Sequence, residues 1–343
     1  MKILRTAVVG LGRIGWRFHV PEIVKNKGFE LMAVVDPVAE RLDEARLEFG
    51  VKTYEDHNNM FKAQEIDLVV IASPTKFHCE HTIAAFENDC HVFCDKPMAS
   101  SLDEADAMID SMNRYGKKMM IYQPHRARNE FIALKDIINS GIIGPVFMIR
   151  RANSGYNRRN DWQAFRQNAG GMLNNYGAHY IDQTLHLSGS KSKRIVCFLR
   201  SIASLGDADD VVKAIIETES GIIIDLEINQ ASAHPIRPWQ ILGKRGSVVF
   251  DEEQKAWKIR YYEEEELEDI NIQEGLAAKN RRYGSGETIP WQEKIIPISE
   301  YHSVDFYQKC YEYFVMGHKS FVPVEETREV MRIISECRKF SNG

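Results

Sequence analysis

The chain has 343 residues, of which 44% are hydrophobic and 27% are charged, and its formal net charge is −5. This is the composition of a folded globular protein, and the length exceeds what one hydrophobic core usually holds, so we expect two domains. The small negative charge argues against a nucleic acid or an anionic membrane as partner, and no apolar run reaches the length of a membrane span.

The start of the chain and the cysteines both favour a cytoplasmic protein. The first residues, MKILRTAVVGLG, lead directly into a strand-like run with none of the features of a secretory signal peptide. The six cysteines have no C-x-x-C spacing, so we expect reduced thiols. Histidines and cysteines crowd between His78 and Cys94, but neighbouring strand residues point to opposite faces and no second cysteine pair matches the first. We therefore predict no metal site.

Residues 1–123 alternate between short apolar runs and helix-like segments. Runs such as ELMAVVD and DLVVIAS are rich in Val and Ile, and the segments between them have helical features, such as the capping-box spacing of Ser101 and Glu104. This alternation predicts a parallel sheet covered by helices on both faces. Pro21 lies inside the first helical segment, where we expect a kink or a break.

A glycine-rich turn follows the first predicted strand. Its glycines have the G-x-G-x-x-G spacing: Gly10, Gly12 and Gly15. In a dinucleotide-binding Rossmann domain the first allows the tight turn, the second lets the backbone approach a pyrophosphate, and the third lets the helix pack on the strand. The pyrophosphate would rest on N–H groups at the helix start, which contains Arg13 and Ile14. The alternative is that these glycines only form a tight strand-to-helix turn.

Asp36 ends the second predicted strand, about 20 residues after the glycines, where dinucleotide-binding domains carry an acid. Its carboxylate would accept hydrogen bonds from the adenosine ribose hydroxyls and would repel the extra phosphate of NADP. We therefore predict NAD as the cofactor, with NADP less favoured. Arg41 is close enough in sequence to weaken this preference. The alternative for Asp36 is the N-cap of the next helix, and both roles can hold together.

Lys96 follows the fifth predicted strand, in VFCDKPMAS, where a buried and unpaired ammonium would be costly. Ligands of parallel sheets bind at the carboxyl ends of the strands. We therefore expect the ends of the fourth and fifth strands to line the same crevice as the glycine turn, with Ser73, Pro74, His78, Asp95 and Lys96. Partial burial and the charge of an oxidised nicotinamide would lower the pKa of Lys96, which could then exchange a proton with a substrate. The alternative is an exposed lysine paired with Asp95.

Residues 124–343 have a different pattern. A helix and a strand precede a loop that contains glycines and aromatic residues, and a long helix runs from about Met172 to Leu187. Runs such as VVKAIIETESGIIIDLEIN predict hairpins, and hence an antiparallel or mixed sheet. The acidic run from Glu263 to Asp269 is interpreted as a solvated edge or loop, and an amphipathic helix closes the chain.

Five segments in this order, AVVGLGRIG, VVDP, SPTKFH, HVFCDKPMA and GGMLNNYGAHYID, resemble the Gfo/Idh/MocA family of glucose–fructose oxidoreductase, inositol dehydrogenase and rhizopine catabolism proteins. The likeness covers nearly the whole chain. It implies an α/β fold with an N-terminal Rossmann domain, a doubly wound parallel sheet, over residues 1–123. It further implies a C-terminal α/β domain with a large open, mostly antiparallel sheet over residues 124–343. We expect the last helix to pack back near the first domain.

The resemblance also implies roles for individual residues. Lys96 would be the catalytic lysine, on a Lys96–Pro97 bond that is cis, and Gln123 would lie beside the nicotinamide. Asp95 stands where the family usually has glutamate. Because the open sheet of family members serves in oligomerisation, we expect a homodimer or a homotetramer.

A polar stripe recurs along the long helix at i, i+4, i+7 and i+11: Asn175, His179, Asp182 and His186. A solvated helix face has the same spacing. The resemblance implies that an acid and a histidine of this helix face the cofactor; His179 matches the histidine, and Asn175 stands where many members carry Asp. Since an amide cannot take a proton, proton transfer would fall on Lys96 and His179, with Asn175 as a positioning group. A carboxylate at position 175 is expected to raise the pKa of His179.

The loop before this helix is the expected floor of a sugar pocket. It contains Tyr156, Arg158, Asp161 and Trp162. The predicted substrate contacts are Lys96, Tyr156, Trp162, Asn175 and His179. For the two aromatic side chains, the alternative is a role in packing.

The favoured function is that of an NAD-dependent dehydrogenase or reductase acting on a sugar, a cyclitol or a related polyol, with Lys96 and His179 as acid–base pair. One alternative is a redox-neutral glycosidase or epimerase that retains its NAD, which the release of cofactor would distinguish. The other is a regulator that senses dinucleotide or sugar without chemistry, and such a sensor needs neither Lys96 nor His179.

Overall fold

The computed structural model describes residues 2–272, 274 and 286–342. The strands of the first half are β1 (Leu4–Val9), β2 (Phe29–Val35), β3 (Lys52–Tyr54), β4 (Leu68–Ile71), β5 (His91–Asp95) and β6 (Met119–Tyr122). The helices between them are α1 (Val20–Lys25), α2 (Ala39–Phe49), α3 (His57–Ala63), α4 (His78–Glu87) and α5 (Leu102–Arg114). The strands pair in parallel in the order β3-β2-β1-β4-β5-β6, which confirms the predicted doubly wound parallel sheet.

The winding direction of this sheet reverses between β1 and β4, which are hydrogen-bonded neighbours although β2 and β3 lie between them in sequence. All four residues of β4 are buried, because helices cover both faces of the sheet. In open α/β sheets, ligands bind outside the carboxyl ends of the strands at such a reversal. We therefore expect a ligand site at the loops after β1, β4 and β5.

The first helix changes its hydrogen-bond pattern close to Pro21. Gly15–His19 form a π-helical turn, and α1 continues from Val20 with Pro21 at its second position. Proline is tolerated at this junction because the N–H that it lacks falls where the regular hydrogen bonding of the helix is already interrupted. The predicted interruption takes the form of this change from π to α geometry.

The second half contains an open sheet. Its strands are β7 (Val146–Ser154), β8 (Ser192–Arg200), β9 (Val211–Thr218), β10 (Ile223–Asn229), β11 (Trp239–Gly243), β12 (Gly246–Asp251), β13 (Ala256–Tyr261) and β14 (Gln292–Pro297). They pair in the order β14-β13-β12-β11-β7-β10-β9-β8, and among these described strands only β7 and β10 run parallel to each other. The predicted mostly antiparallel sheet is confirmed. The acidic run forms a short exposed turn, Glu264–Glu266.

Four further helices pack around the two sheets: α6 (Asn129–Asn139), α7 (Ala178–Ser188), α8 (Phe306–Phe314) and α9 (Val324–Asn342). A π-helical turn, Leu173–Gly177, leads into α7, so the long predicted helix is present with two hydrogen-bond patterns. Helices α6, α7 and α9 contact β13, β7, β10 and β8. Within the described ranges, every helix is too short or too polar to cross a membrane.

Helices α8 and α9 return to the first half of the chain. Phe306 stacks on Phe93 with 5.7 Å between ring centroids, and Tyr307 Oη lies 2.8 Å from His19 Nδ1. Helix α9 contacts α5, where Arg328 Nη2 donates to an Asp106 carboxylate oxygen at 2.9 Å. The end of the chain, which the sequence assigned to the second domain, therefore also covers part of the first.

Candidate active site

The glycine turn joins β1 to the first helix at the carboxyl edge of the first sheet. Gly10 has a φ of 100°, and a Cβ on it would lie 2.5 Å from Ser73 N, whereas a Cβ on Gly15 would lie 1.9 Å from Gly10 O. A Cβ on Gly12 would meet no atom within 4 Å. Gly10 and Gly15 are thus required by the packing of the turn itself, and the open space at Gly12 is where a bound group can approach the backbone. The first-turn N–H groups of the helix, around exposed Arg13 and half-buried Ile14, are donors for a phosphate.

Asp36 is buried beside this turn. Its Oδ2 accepts from Leu11 N–H at 2.8 Å, and its Oδ1 accepts from Val38 N–H at 3.0 Å. Arg41 Nη1 lies 3.2 Å from Oδ2. The N-cap residue of α2 is Val38, so the alternative that made Asp36 the N-cap is wrong. The carboxylate instead ties the glycine turn to the start of α2, with Arg41 as its ion-pair partner.

His78 ties together the loops that follow β4 and β5. Its Nδ1 lies 2.9 Å from Pro97 O and its Nε2 lies 2.8 Å from Ser73 O. Both ring nitrogens therefore contact the backbone, and His78 positions the two loops rather than offering a nitrogen to a ligand. Ser73 is half-buried, with its Oγ 3.0 Å from His81 Nδ1, and Pro74 is exposed.

Lys96 reaches from the end of β5 to the helix of the second half. Its Nζ donates to Asn175 O at 2.8 Å and to Asn175 Oδ1 at 3.1 Å, and the Lys96–Pro97 bond is cis. Asp95 Oδ1 accepts from the backbone N–H of Lys96 at 2.8 Å instead of from its ammonium. Burial lowers the pKa of Lys96 to about 8, an effect that Asp95 opposes and Arg159 reinforces. An amine with this pKa can take up and release a proton close to neutral pH.

A second amide orients Asn175. Asn175 Nδ2 donates to Gln163 Oε1 at 3.2 Å, which leaves Asn175 Oδ1 directed at Lys96 Nζ. Gln163 lies in the loop before the long helix, and nothing in its sequence context distinguishes it from other polar loop residues. Asn175 Oδ1 thus bonds Lys96 Nζ directly, so we expect a charge at position 175 to act on Lys96 as well as on His179.

His179 is buried at the start of α7 and is oriented by Gln123. His179 Nδ1 lies 3.0 Å from Gln123 Oε1, and Gln123 Nε2 donates to Ala178 O at 3.3 Å. Since an amide oxygen only accepts, Nδ1 carries the proton and Nε2 is the acceptor. Burial, reinforced by the charge of Lys96 nearby, lowers the pKa of His179 well below its usual value. The ring of His125, which the sequence did not single out, stacks on His179.

The polar stripe on the helix divides into two parts with different partners. Asp182 is buried and accepts from Arg126 twice, with Nε–Oδ2 and Nη2–Oδ1 distances of 2.6 Å. Arg126 Nη1 also pairs with Glu326 of α9 at 2.6 Å and lies 3.3 Å from His186 Nδ1. A solvated face is therefore wrong for Asp182. This ion-pair network fastens α7 to α9, while Asn175 and His179 belong to the site at Lys96.

Tyr156 and Trp162 are exposed, by 64% and 43%, in the loop before the long helix. Neither ring stacks on another within the described residues, so the packing alternative gains no support. Arg158 is exposed, and Asp161 pairs with Arg159 at 2.9 Å. Contact of the two rings with a substrate stays a prediction.

Two family models match the chain. Residues 4–123 match the Gfo/Idh/MocA oxidoreductase family model, described as an NAD-binding Rossmann fold. Residues 131–249 match the Gfo/Idh/MocA C-terminal domain. The two matches cover the first sheet, strands β7 to β11 and most of β12 of the second sheet, and the segments that carry Lys96 and His179.

Relatives with named activities share most of the chain. A 2,7-anhydro-N-acetylneuraminate hydratase of Mediterraneibacter gnavus is 27% identical over 262 residues, 73% of this chain and 68% of that protein. A scyllo-inositol 2-dehydrogenase (NAD⁺) of Bacillus subtilis is 28% identical over 257 residues, 71% of this chain and 73% of that protein. The crystal structure of an NAD-binding protein from Listeria innocua has the same fold, with a TM-score of 0.85 at 24% identity over 100% of this chain and 98% of that one. The chain therefore belongs to the Gfo/Idh/MocA family of oxidoreductases, whose N-terminal domain is an NAD-binding Rossmann fold.

Proposed function

We propose that the protein is an NAD-dependent dehydrogenase or reductase that transfers a hydride between nicotinamide and a hydroxyl or carbonyl carbon of a sugar, a cyclitol or a related polyol. One observation carries the proposal. The amine of Lys96, whose pKa burial lowers to about 8, is held by Asn175 near His179 at the carboxyl edge of the NAD-binding sheet. Oxidation of a hydroxyl needs a group in that position to take its proton.

The residues at this edge fit the cofactor. The open space at Gly12 suits a pyrophosphate, and we assign Asp36, which is bonded to the glycine turn, to the adenosine ribose. Ser73 and Pro74 follow β4 at the same edge of the sheet. When bound, NAD accepts the hydride in oxidation and returns it in reduction. Gln123 contributes indirectly, because it orients the ring of His179.

Lys96 is the group to which we assign proton transfer. In oxidation its neutral amine takes the hydroxyl proton as the C–H bond breaks, so that a carbonyl forms and the proton later passes to solvent. In reduction its ammonium returns a proton to the carbonyl oxygen. His179 stays neutral because burial lowers its pKa, and before the transfer its Nε2 shares the O–H proton with the Lys96 amine in a three-centre hydrogen bond. Asn175 positions the amine without adding a charge to it.

A redox-neutral reaction with retained NAD is the second candidate, favoured by the similarity to a 2,7-anhydro-N-acetylneuraminate hydratase. In such a reaction a hydroxyl is oxidised and the carbonyl is reduced again within one cycle, and Lys96 and His179 can serve both steps. The two functions differ in the balance of cofactor, because only the dehydrogenase forms one NADH for each product.

The test is a screen of sugars, cyclitols and polyols in which NADH absorbance and product chromatography are followed together. We expect NADH to accumulate with product for at least one polyol. Conversion of a substrate without NADH would favour the redox-neutral candidate. NAD binding without conversion of any compound would leave the sensing regulator as the better interpretation.

NAD is expected to bind at least ~10-fold more tightly than NADP, or ~1.4 kcal/mol, because Asp36 accepts from the ribose hydroxyls and occupies Arg41. Asp36→Asn removes the negative charge and frees Arg41 for a phosphate, so the two affinities should become equal or reverse. Asp43→Asn is the matched control, since it breaks an Asp–Arg pair with Arg46 on the same helix, away from the glycine turn. Fluorescence titrations measure both affinities, and an unchanged ratio in Asp36→Asn would contradict the assignment.

Asn175→Asp is expected to move the ascending limb of the pH–rate profile for oxidation to higher pH by ~1 pH unit or more. A carboxylate oxygen in place of Oδ1, which lies 3.1 Å from Lys96 Nζ, favours the ammonium and raises the pKa of Lys96 from about 8. Less neutral amine is then present at neutral pH, so kcat/KM for oxidation falls there. Asn174→Asp is the control, because it places the same charge against Arg338, whose Nη2 donates to Asn174 Oδ1 at 2.6 Å. A limb that moves equally in both variants would argue against Lys96 as its source.

The homodimer or homotetramer expected from the family resemblance is also a proposal, with the open face of the second sheet as its interface. Phe198 of β8, Ile215 of β9 and Ile223 of β10 are exposed. The pairing registers of the three strands place these side chains on the same face of the sheet. Light scattering after gel filtration should give a multiple of the monomer mass. Combined Phe198→Glu and Ile215→Glu should shift it to the monomer, and a monomeric parent protein would refute the proposal.

A further inference from the structure

Two imidazole rings lie stacked in the neighbourhood of Lys96. The ring centroids of His125 and His179 are 3.8 Å apart, with 15° between the ring planes. His125 belongs to the turn Pro124–Ala127, which directly follows Gln123. One short segment therefore sets the tautomer of His179 and supplies the ring that covers it.

Within the part of the chain that the structure describes, three of the four ring nitrogens of this pair have no hydrogen-bond partner. Gln123 occupies His179 Nδ1, whereas His179 Nε2 and both nitrogens of His125 have no hydrogen-bond partner among the described residues. None of these three atoms is fully buried. A bound molecule can therefore reach them, next to the amine to which we assign proton transfer.

Both rings are neutral around neutral pH. Burial lowers the pKa of His125 to about 3 and that of His179 well below its usual value, and the cations Arg128, Arg151 and Lys96 add to both effects. A neutral imidazole donates one hydrogen bond and accepts another. Hydroxyl groups match both roles, whereas a carboxylate, which only accepts, matches one.

We propose that His125 is a specificity-determining residue that binds the hydroxyl next to the reacting one, so that the substrate is a vicinal diol. The inference rests on the proposed function, in which the reacting hydroxyl lies between Lys96 Nζ and His179 Nε2. Rings stacked with their centroids 3.8 Å apart hold their edges close together, so hydroxyls on neighbouring carbons can each bind one ring over a hydrogen bond of ~2.7–3.2 Å. A polyol without the second hydroxyl leaves His125 unpaired.

The test compares the polyol with the highest kcat/KM in the screen with its two monodeoxy analogues, each lacking one hydroxyl next to the reacting carbon. In the parent enzyme, one analogue should lose ~10-fold or more in kcat/KM, the effect of one hydrogen bond and of the partner left unpaired. His125→Phe keeps an aromatic ring against His179 but removes the nitrogens. In this variant the polyol and that analogue should differ by no more than ~2-fold.

His125→Gln is the matched variant, because its amide can still bind a hydroxyl although the ring is lost. It should retain a preference of ~3-fold or more for the complete polyol. NAD binding and thermal unfolding of each variant establish that it is folded. Equal discrimination by the parent enzyme and His125→Phe, or the same loss of discrimination in both variants, would overturn the proposal.

A binding measurement separates this proposal from the proposed function. The NAD-loaded protein and its His125→Phe variant are titrated calorimetrically with scyllo-inositol and with its monodeoxy analogue. Should no polyol yield NADH, the proposed function fails, and a preference for the complete polyol that depends on His125 would still support diol recognition. Should polyols be oxidised with a discrimination that His125 does not influence, the diol proposal alone fails.

Discussion

Lys96→Met is expected to lower kcat by ~10²–10⁴ while the affinity for NAD changes by no more than a few-fold. Methionine keeps the unbranched side chain but can neither take the hydroxyl proton nor donate to Asn175. The glycine turn and Asp36, which we propose hold the other end of the cofactor, are untouched. Stopped-flow measurement of NADH formation and fluorescence titration of NAD measure the two quantities independently.

Two further variants sharpen this experiment. Lys96→Arg keeps the positive charge on a group that does not release its proton, so it should be as impaired as Lys96→Met if proton transfer is the role of Lys96. Lys76→Met is the control, since Lys76 follows β4 and reaches Asn168 Oδ1 at 3.3 Å without contacting Asn175. An active Lys96→Arg would indicate that Lys96 contributes only its positive charge and not proton transfer. An active Lys96→Met would show that the reaction needs neither a proton acceptor at position 96 nor the contact with Asn175.

His179→Ala is expected to lower kcat/KM by ~10²-fold or more, because the acceptor that Gln123 orients towards the reacting hydroxyl is lost. The loss should appear mainly in kcat, since without this acceptor the O–H is no longer oriented for transfer to Lys96. His186→Ala removes a histidine two turns along the same helix, in the network of Arg126 and Glu326, and should retain activity within a few-fold. Equal losses in the two variants would indicate that both histidines support the helix rather than the reaction.

Residues at the ends of predicted strands were the part of the site that sequence reasoning could locate. Gly12, Asp36 and Lys96 each follow an apolar run of the alternating first half, and parallel strands bring such positions to one edge of a sheet. Helical spacing was less informative. It grouped Asp182 with His179, but spacing alone does not show which element packs against each turn, and Asp182 packs against Arg126.

Contacts between loops were not predictable from the sequence. Gln163 reaches Asn175, and His125 covers His179, only when the loop before the long helix and the turn after β6 are packed together. A glutamine or a histidine in a polar loop has no periodicity that would distinguish it. For the same reason helical spacing placed Asn175 one turn from His179 but did not show that its side chain bonds Lys96 on another domain.

Because α8 packs on the first sheet, the first domain cannot bury all of its apolar surface until α8 has been synthesised. Phe306 and Tyr307 pack against Phe93 and His19, and a fragment ending at residue 123 would leave those apolar surfaces in water at a cost of ~25 cal/mol per Å². When β6 has been synthesised, the first sheet is complete, but the helix that covers this part of it follows only after all the strands of the second sheet. The domain that is synthesised first therefore buries this apolar surface only after α8 has been synthesised.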